Sequence, residues 1–371
     1  MAFRFGSLGV TPVFNVTNFG FDTNVFNDSV DPETDFTFRA APRLQARWRT
    51  RRMLLSGNVE TGLNYYAKFS DERFVDYSGT GRADFDFGRL RPYVLASWLD
   101  TRERLNAELD LRAPRVQDDV AAGARLSVAH RVTLTLDARR SELQFADGVL
   151  FEGVPVSQTM NSTTSTVDGA VEVHLTPLTT VSLVTSVQQD RFDESPARDS
   201  DTFRVMPTIR LEAPAIIQGS FSIGYRDFNG LDPELPDYSG LVLRGSIGHT
   251  FVERTRIEFL ASRDVQYSFE ELEPYYLTTG LRVTVSHLLR EAVDLRVVAG
   301  RDRYDYRSTL GEGGSIDARR DRADLFSVGG GYRPQPHIRI GLDLEFGRRK
   351  SDRADRRYDR TRLLGSFSYG I

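Results

Sequence analysis

The 371-residue sequence predicts an all-β fold: a transmembrane antiparallel up-and-down β-barrel of eighteen strands, with short periplasmic turns and longer extracellular loops. Three observations predict it. Polar and apolar residues alternate strictly over stretches far longer than a soluble strand. Connections alternate between short turns and long polar loops. No apolar run approaches eighteen residues and the mean hydropathy is −0.37, so a helical membrane protein is excluded while a barrel, which exposes only alternate residues to lipid, is not.

Composition agrees. Aromatic residues are plentiful (24 Phe, 14 Tyr), Gly numbers 30 and Met only 4. Lys occurs only at positions 68 and 350, so nearly all of the 48 basic residues are Arg. The absence of Cys removes disulfide scaffolds, thiolate metal sites and thiol nucleophiles together. A net charge of −4 argues against a nucleic-acid partner. Met1 to Val10 carry no cationic segment followed by an apolar one. The barrel reading therefore expects a signal peptide already removed, with Met1 a processing artefact.

The clearest strand runs from Phe36 to Trp48. Phe36, Phe38, Ala40, Pro42, Leu44, Ala46 and Trp48 form one apolar face; Arg39, Arg43 and Arg47 lie on the other. The next face is Met53, Leu55, Gly57, Val59, Thr61, Leu63, Tyr65, Ala67 and Phe69, and after it Tyr77, Gly79, Gly81, Ala83, Phe85 and Phe87. The same rhythm returns from Val132, Val167, Phe203, Leu281 and Ile338, and closes with Leu363, Gly365, Phe367, Tyr369 and Ile371. Short turns are expected near Thr50, Gly88 to Arg91, His130, Pro177, Pro214, Val252, Leu289 and Pro334 to Pro336. Longer connections are expected at 22–33, 70–73, 102–117, 146–165, 190–201, 228–237, 265–275, 302–320 and 348–359. The repeat of roughly forty residues is two strands plus one loop; a β-propeller would place four short strands in it. A soluble sandwich has no need of such long apolar faces. One barrel domain over 1–371 follows.

The opposite faces supply the candidate lumen lining. Its basic members are Arg39, Arg43, Arg47, Arg82, Arg125, Arg139, Arg204, Arg210, Arg226, Arg282, Arg296, Arg339 and Arg362. Its acidic members are Glu60, Asp84, Asp86, Asp119, Asp137, Asp168, Glu172, Glu212, Asp294, Asp343 and Glu345. Charges inside a barrel require water or partners. Eighteen tilted strands enclose a bore about 35 Å across, which is wet or plugged by loops or a partner. The Arg residues form either a path for anionic or hydroxyl-rich solutes, or structural ladder pairs with the carboxylates.

No nucleophile, base and orienter converge, so no catalytic site is expected, nor any cofactor. The five His, at 130, 174, 249, 287 and 337, fall beside predicted short turns, as interfacial residues or a rim for a periplasmic partner. Asp193, Glu194, Asp199 and Asp201 match no calcium loop and read as solvated tips. The apolar 146–165 connection, with Val149, Leu150, Phe151, Val154, Pro155 and Val156, either folds into the lumen or packs over its neighbours.

Phe21, Asp22, Thr23, Asn24, Val25 and Phe26, then an acidic loop and Asp35 with Ala41, Pro42, Arg43 and Leu44, resemble the opening of the putative β-barrel porin 2 family. The motif covers the first seventy residues, and the later hairpins share the family's rhythm. The chain ends in Ile371 where many outer-membrane barrels have Phe. The resemblance implies an outer-membrane conduit for an exopolysaccharide in a Gram-negative bacterium, working with a periplasmic polysaccharide-export protein. A diffusion porin for small solutes is the alternative; a barrel enzyme acting on lipid or polymer is the third reading. A wide bore favours the first, and a loop folded inward favours the second.

Overall fold

The computed structural model describes residues 3–106, 108–213, 215–309 and 319–370. The wall strands are β1 (Leu8–Asp22), β2 (Asp35–Arg49), β3 (Met53–Tyr66), β4 (Phe74–Phe85), β5 (Leu90–Thr101) and β6 (Arg115–Ala129). They continue as β7 (Val132–Phe145), β8 (Ser162–Thr176), β9 (Thr179–Phe192), β10 (Ser200–Leu211), β11 (Ile217–Gly230) and β12 (Tyr238–Phe251). The ring is completed by β13 (Thr255–Tyr267), β14 (Tyr275–Arg290), β15 (Val293–Arg307), β16 (Arg320–Gln335), β17 (Ile338–Lys350) and β18 (Tyr358–Tyr369). Each pairs antiparallel with its sequence neighbours, and β1 pairs with both β2 and β18, so the eighteen-strand barrel is closed. A short strand, Phe3–Phe5, folds back on Leu8 to Val10. No helix among the described residues is long and apolar enough to cross a membrane.

Register explains the two faces. Leu44 lies opposite Val59 and Pro12, and Arg43 opposite Glu60 and Val13, so like faces meet around the wall. The outward apolar side chains are bare: Leu44 is 45% exposed, Leu136 61% and Leu342 57%. A continuous apolar belt on every strand is what a lipid-facing barrel requires, and far exceeds what a soluble monomer exposes.

Among the described residues, register slips lie beside the short turns except in β1, where a bulge disturbs the alternation within the wall. Asn18 has φ +55, and the register slips between Thr17 and Gly20 against β2. Below it Phe14 points outward, and above it Phe19 and Phe21 do. Gly20 is required beside it, because a Cβ there would lie 1.8 Å from the Leu363 carbonyl oxygen.

Strand boundaries differ from expectation chiefly on the long-loop side. The connections expected at 146–165, 265–275 and 348–359 shrink to 146–161, 268–274 and 351–357. Above the lipid, polar residues such as Ser162, Gln266 and Arg349 still make ladder pairs, so β pairing outlasts the apolar signal. On β3 pairing stops at Tyr66, and Phe69 instead packs edge-on against Phe26 at 4.8 Å. Met1, the turn residue Pro214, residues 310–318 of the 302–320 connection and Ile371 lie outside the described residues.

A closed ladder resists mild detergent, so the unboiled protein is expected to migrate differently from the boiled one on denaturing gels and to give a β circular-dichroism spectrum; solubility without detergent contradicts the fold. Register is tested separately. Leu44→Arg faces lipid and is expected to cost about 2–4 kcal/mol by urea unfolding in bilayers. Arg43→Glu would set two carboxylates opposite each other, since Arg43 pairs with Glu60, so Arg43→Gln is the better inward probe and should leave most stability intact. The reverse order of effects means the faces are exchanged.

Candidate functional site

Among the described residues, several long connections fold together across the bore rather than standing away from the barrel. In residues 102–114 the Asn106 Oδ1 accepts hydrogen bonds from the Glu108 and Leu109 amides (2.9 and 2.7 Å), a side-chain-closed turn that directs both residues inward. Arg104 and Arg112 each donate to the Val25 carbonyl at 2.7 Å, anchoring this loop to 23–34. Glu108 is fully buried. Its carboxylate accepts from the Ser268 hydroxyl and the Phe269 amide, both at 2.9 Å.

That contact defines the site. Residues 102–114 join β5 to β6 and residues 268–274 join β13 to β14, eight places away around the eighteen-strand ring. They meet only by reaching across. An apolar knot surrounds the clasp: Leu109, Ala113, Phe145, Val156, Met160 and Phe269 are buried together. Val156 and Met160 belong to a one-turn helix, Val156–Met160, so the 146–165 connection folds into the bore rather than over its neighbours. Phe151 meets Phe269 edge-on at 5.2 Å.

Cations tie two further loops, 193–199 and 351–357, to this knot. Arg198, from 193–199, donates to the Phe269 and Glu270 carbonyls at 3.0 Å and to Ser268. Arg356 donates to the Glu108 carbonyl at 3.2 Å and pairs with Glu152 at 2.8 Å, while Arg353 pairs with Glu270. Burial pushes the Glu108 carboxyl up, against the opposing pull of its hydrogen bonds and of Arg356 and Arg319. Burial likewise lowers Arg198 and Arg104.

The tip of β13–β14 leaves the wall with its loop. β12 pairs with β13 only from Leu243 and Arg263 toward the short-turn end. Beyond that, Val265, Tyr275 and Leu277, which alternation assigns to the lipid face, are buried against Phe228 and Leu235. The Tyr267 hydroxyl reaches Asp190 at 3.0 Å on β9.

The candidate lumen residues all fall on the face opposite the apolar belt, except Asp86 and Glu212, which sit in short turns. They divide into two sets. Arg39 binds Glu60 and Asp76 (2.9 and 2.7 Å), Arg43 binds Glu60, and Arg82 binds Asp84 at 2.7 Å. Arg226 and Arg204 share Asp264 (2.6 and 3.7 Å), Arg296 binds Asp343 at 3.0 Å, Arg339 binds Asp294 at 2.7 Å, and Arg362 binds Glu345. Apart from Arg82 with Asp84, which lie on one strand, these pairs span strands and brace the wall.

Arg47, Arg125, Arg139, Arg210 and Arg282 have no carboxylate in ion-pair range among the described residues. Arg244, on the same face of β12 and absent from the sequence-based set, joins them. Its signal was available: Val242, Arg244 and Ser246 alternate with Leu241, Leu243 and Gly245. Of the acidic residues, Asp137 accepts from the Tyr93 hydroxyl at 2.5 Å, Asp119 from Ser97 at 3.2 Å and Glu172 from Thr135 at 3.4 Å.

Elsewhere, Asp193 and Glu194 are exposed, but Asp199 accepts from the Phe192 amide and Asp201 pairs with Arg191 at 2.7 Å. No group of metal-ligating side chains gathers among the described residues. His174 and His287 bond to Thr180 and Thr255 (2.9 and 2.8 Å) near the short turns.

Comparison with known proteins places this geometry. Solved barrels with the same architecture include a BenF-like porin from Pseudomonas fluorescens Pf-5, 9% identical over 98% of this chain and 99% of that one, with a TM-score of 0.55. OpdO of Pseudomonas aeruginosa is 10% identical over 97% and 96% of the two chains, TM-score 0.54. The outer membrane protein OpdK of the same species, also solved with vanillate, is 9% identical over 97% and 98%, TM-score 0.53. At such identities the likeness concerns the fold. No curated protein sequence matches the chain. The sequence model of one family, described as putative beta-barrel porin 2, matches residues 3–366. A closed barrel with lipid belt, inward loops and near-complete coverage by that model leads to one assignment: the chain belongs to the putative β-barrel porin 2 family and is a porin-like outer-membrane barrel.

Proposed function

We propose that the chain is a selective diffusion porin for small anionic solutes, with the inward loops as its filter. The observation that carries this reading is the Glu108 clasp to Ser268 and Phe269, which crosses the bore. An extended polymer needs a continuous passage, so the clasp speaks for small solutes over an exopolysaccharide conduit with a periplasmic export partner. Arg47, Arg125, Arg139, Arg210, Arg244 and Arg282, which have no carboxylate in ion-pair range among the described residues, support the preference for anions, since guanidinium groups facing a water-filled path raise its local potential. OpdK, similar in fold, has been solved with vanillate, a small carboxylate of the kind such a wall would attract.

Single-channel recordings test the charge. Arg139→Gln combined with Arg282→Gln is expected to lower the anion-to-cation permeability ratio by roughly twofold in a salt gradient. Arg39→Gln, which removes a braced cation, should alter stability more than selectivity.

The filter is tested through Glu108. Glu108→Ala should raise conductance by about twofold and admit larger solutes in liposome swelling. Its pH response has a definite sign. Because burial raises this carboxyl, protonation favours the docked clasp, fully so in acid, and that contribution is lost as pH rises through the raised value. Conductance is therefore expected to be lowest in acid and to climb with pH, and Glu108→Gln should flatten the climb. In cells, loss of the gene should impair uptake of a small anionic nutrient and leave surface polymer unchanged; the opposite pair of results favours the polysaccharide conduit.

A further inference from the structure

We propose that the outward face of β15–β17, at the long-loop end, is a docking site for the phosphate groups of outer-leaflet lipids. Just above the apolar belt, Arg303, Arg322 and Lys350 lie directly opposite one another on three adjacent strands. Like charges in direct opposition destabilise a sheet unless something neutralises them. The neighbouring row shows the contrast: Arg301, Asp324, Arg348 and Asp359 alternate in sign across β15–β18, with pairs at 2.6 and 2.9 Å.

Internal carboxylates do not complete the cationic row. Arg303 leans along its strand to Asp305 (2.9 Å) and Arg322 to Asp324 (3.0 Å), but each acid also serves a second Arg, Arg320 and Arg301 respectively. Lys350 has no carboxylate in ion-pair range among the described residues. Arg303 and Arg322 remain 53% and 39% exposed.

Depth selects the occupant. On β17 the outward residues read Ile338, Ile340, Leu342, Leu344 and Phe346, and then Arg348 and Lys350, so the cations begin where the apolar belt ends. With long loops extracellular, that level is the headgroup layer of the outer leaflet. Anionic headgroups attract such clusters. The opposite sector does not share this character: Asp118, Glu142, Asp201 and Asp227 there outnumber Arg140 and Arg191. Lipid phosphate should therefore gather on one flank of the barrel.

The test uses the full-length barrel in detergent micelles, titrated with a diphosphorylated glycolipid and with the same lipid after enzymatic dephosphorylation, and read by native mass spectrometry. Replacing Arg303, Arg322 and Lys350 together by Gln is expected to weaken binding of the phosphorylated lipid by roughly a hundredfold and to leave the dephosphorylated lipid unaffected. Arg140→Gln with Arg191→Gln should change neither. Equal affinity of wild type and the triple variant overturns the proposal, as does displacement of the lipid by inorganic phosphate at millimolar concentration, which marks a free-anion site. Should the triple variant fail to fold, Asp324→Asn decides. Removing a neutralising carboxylate should tighten binding of the phosphorylated lipid, and an unchanged affinity overturns the proposal.

Discussion

Backbone hydrogen bonding in a medium without water is the constraint on which the whole architecture rests. Each wall strand must find partners on both sides, and only a closed ring provides them. Closure falls to β1, which pairs with β18 from Phe14 to Asp22 as well as with β2. The Asn18 bulge sits in this seam. It adds one residue to β1 against both neighbours at the same level, at the cost of a residue in the left-handed region and a glycine beside it.

Once the ring is closed, its inner wall must accommodate charge, and the Arg-rich composition is used in two ways. Pairs such as Arg39 with Asp76 or Arg339 with Asp294 span strands and brace the wall, so their guanidinium groups are spent on structure. Arg139 and Arg282 have no such partner and leave their charge to the bore. The same residue type thus supplies both scaffold and field, distinguished by whether a carboxylate on a nearby strand lies within reach.

Much of this was legible in the sequence because a period of two survives any tertiary arrangement. Arg43 and Leu44 could be assigned to opposite faces from alternation alone, and register agrees. Three features were not legible. The bulge at Asn18 interrupts an otherwise regular alternation, and a single Asn, though it tolerates the left-handed region, does not announce a bulge by itself. Val265, Tyr275 and Leu277 alternate as lipid-facing residues do, yet the β13–β14 tip leaves the wall and buries them, which only the packing of Phe228 and Leu235 shows. Glu108 is one carboxylate among many in a polar loop; its partners lie 160 and 161 residues onward, and nothing local announces them. The apolar 146–165 connection was ambiguous for a related reason: its hydrophobicity demanded burial but did not say where.

That sequence separation also fixes an order of events. The Glu108 clasp joins hairpins eight strands apart, so its two halves meet only once the wall from β5 to β14 is paired and curved. Before that arc is assembled, the two halves of the clasp stand apart. Docking of residues 102–114 against 268–274 then buries Leu109, Met160 and Phe269 together. The contact that spans the bore is therefore one of long sequence separation, which assembly of that arc alone brings about.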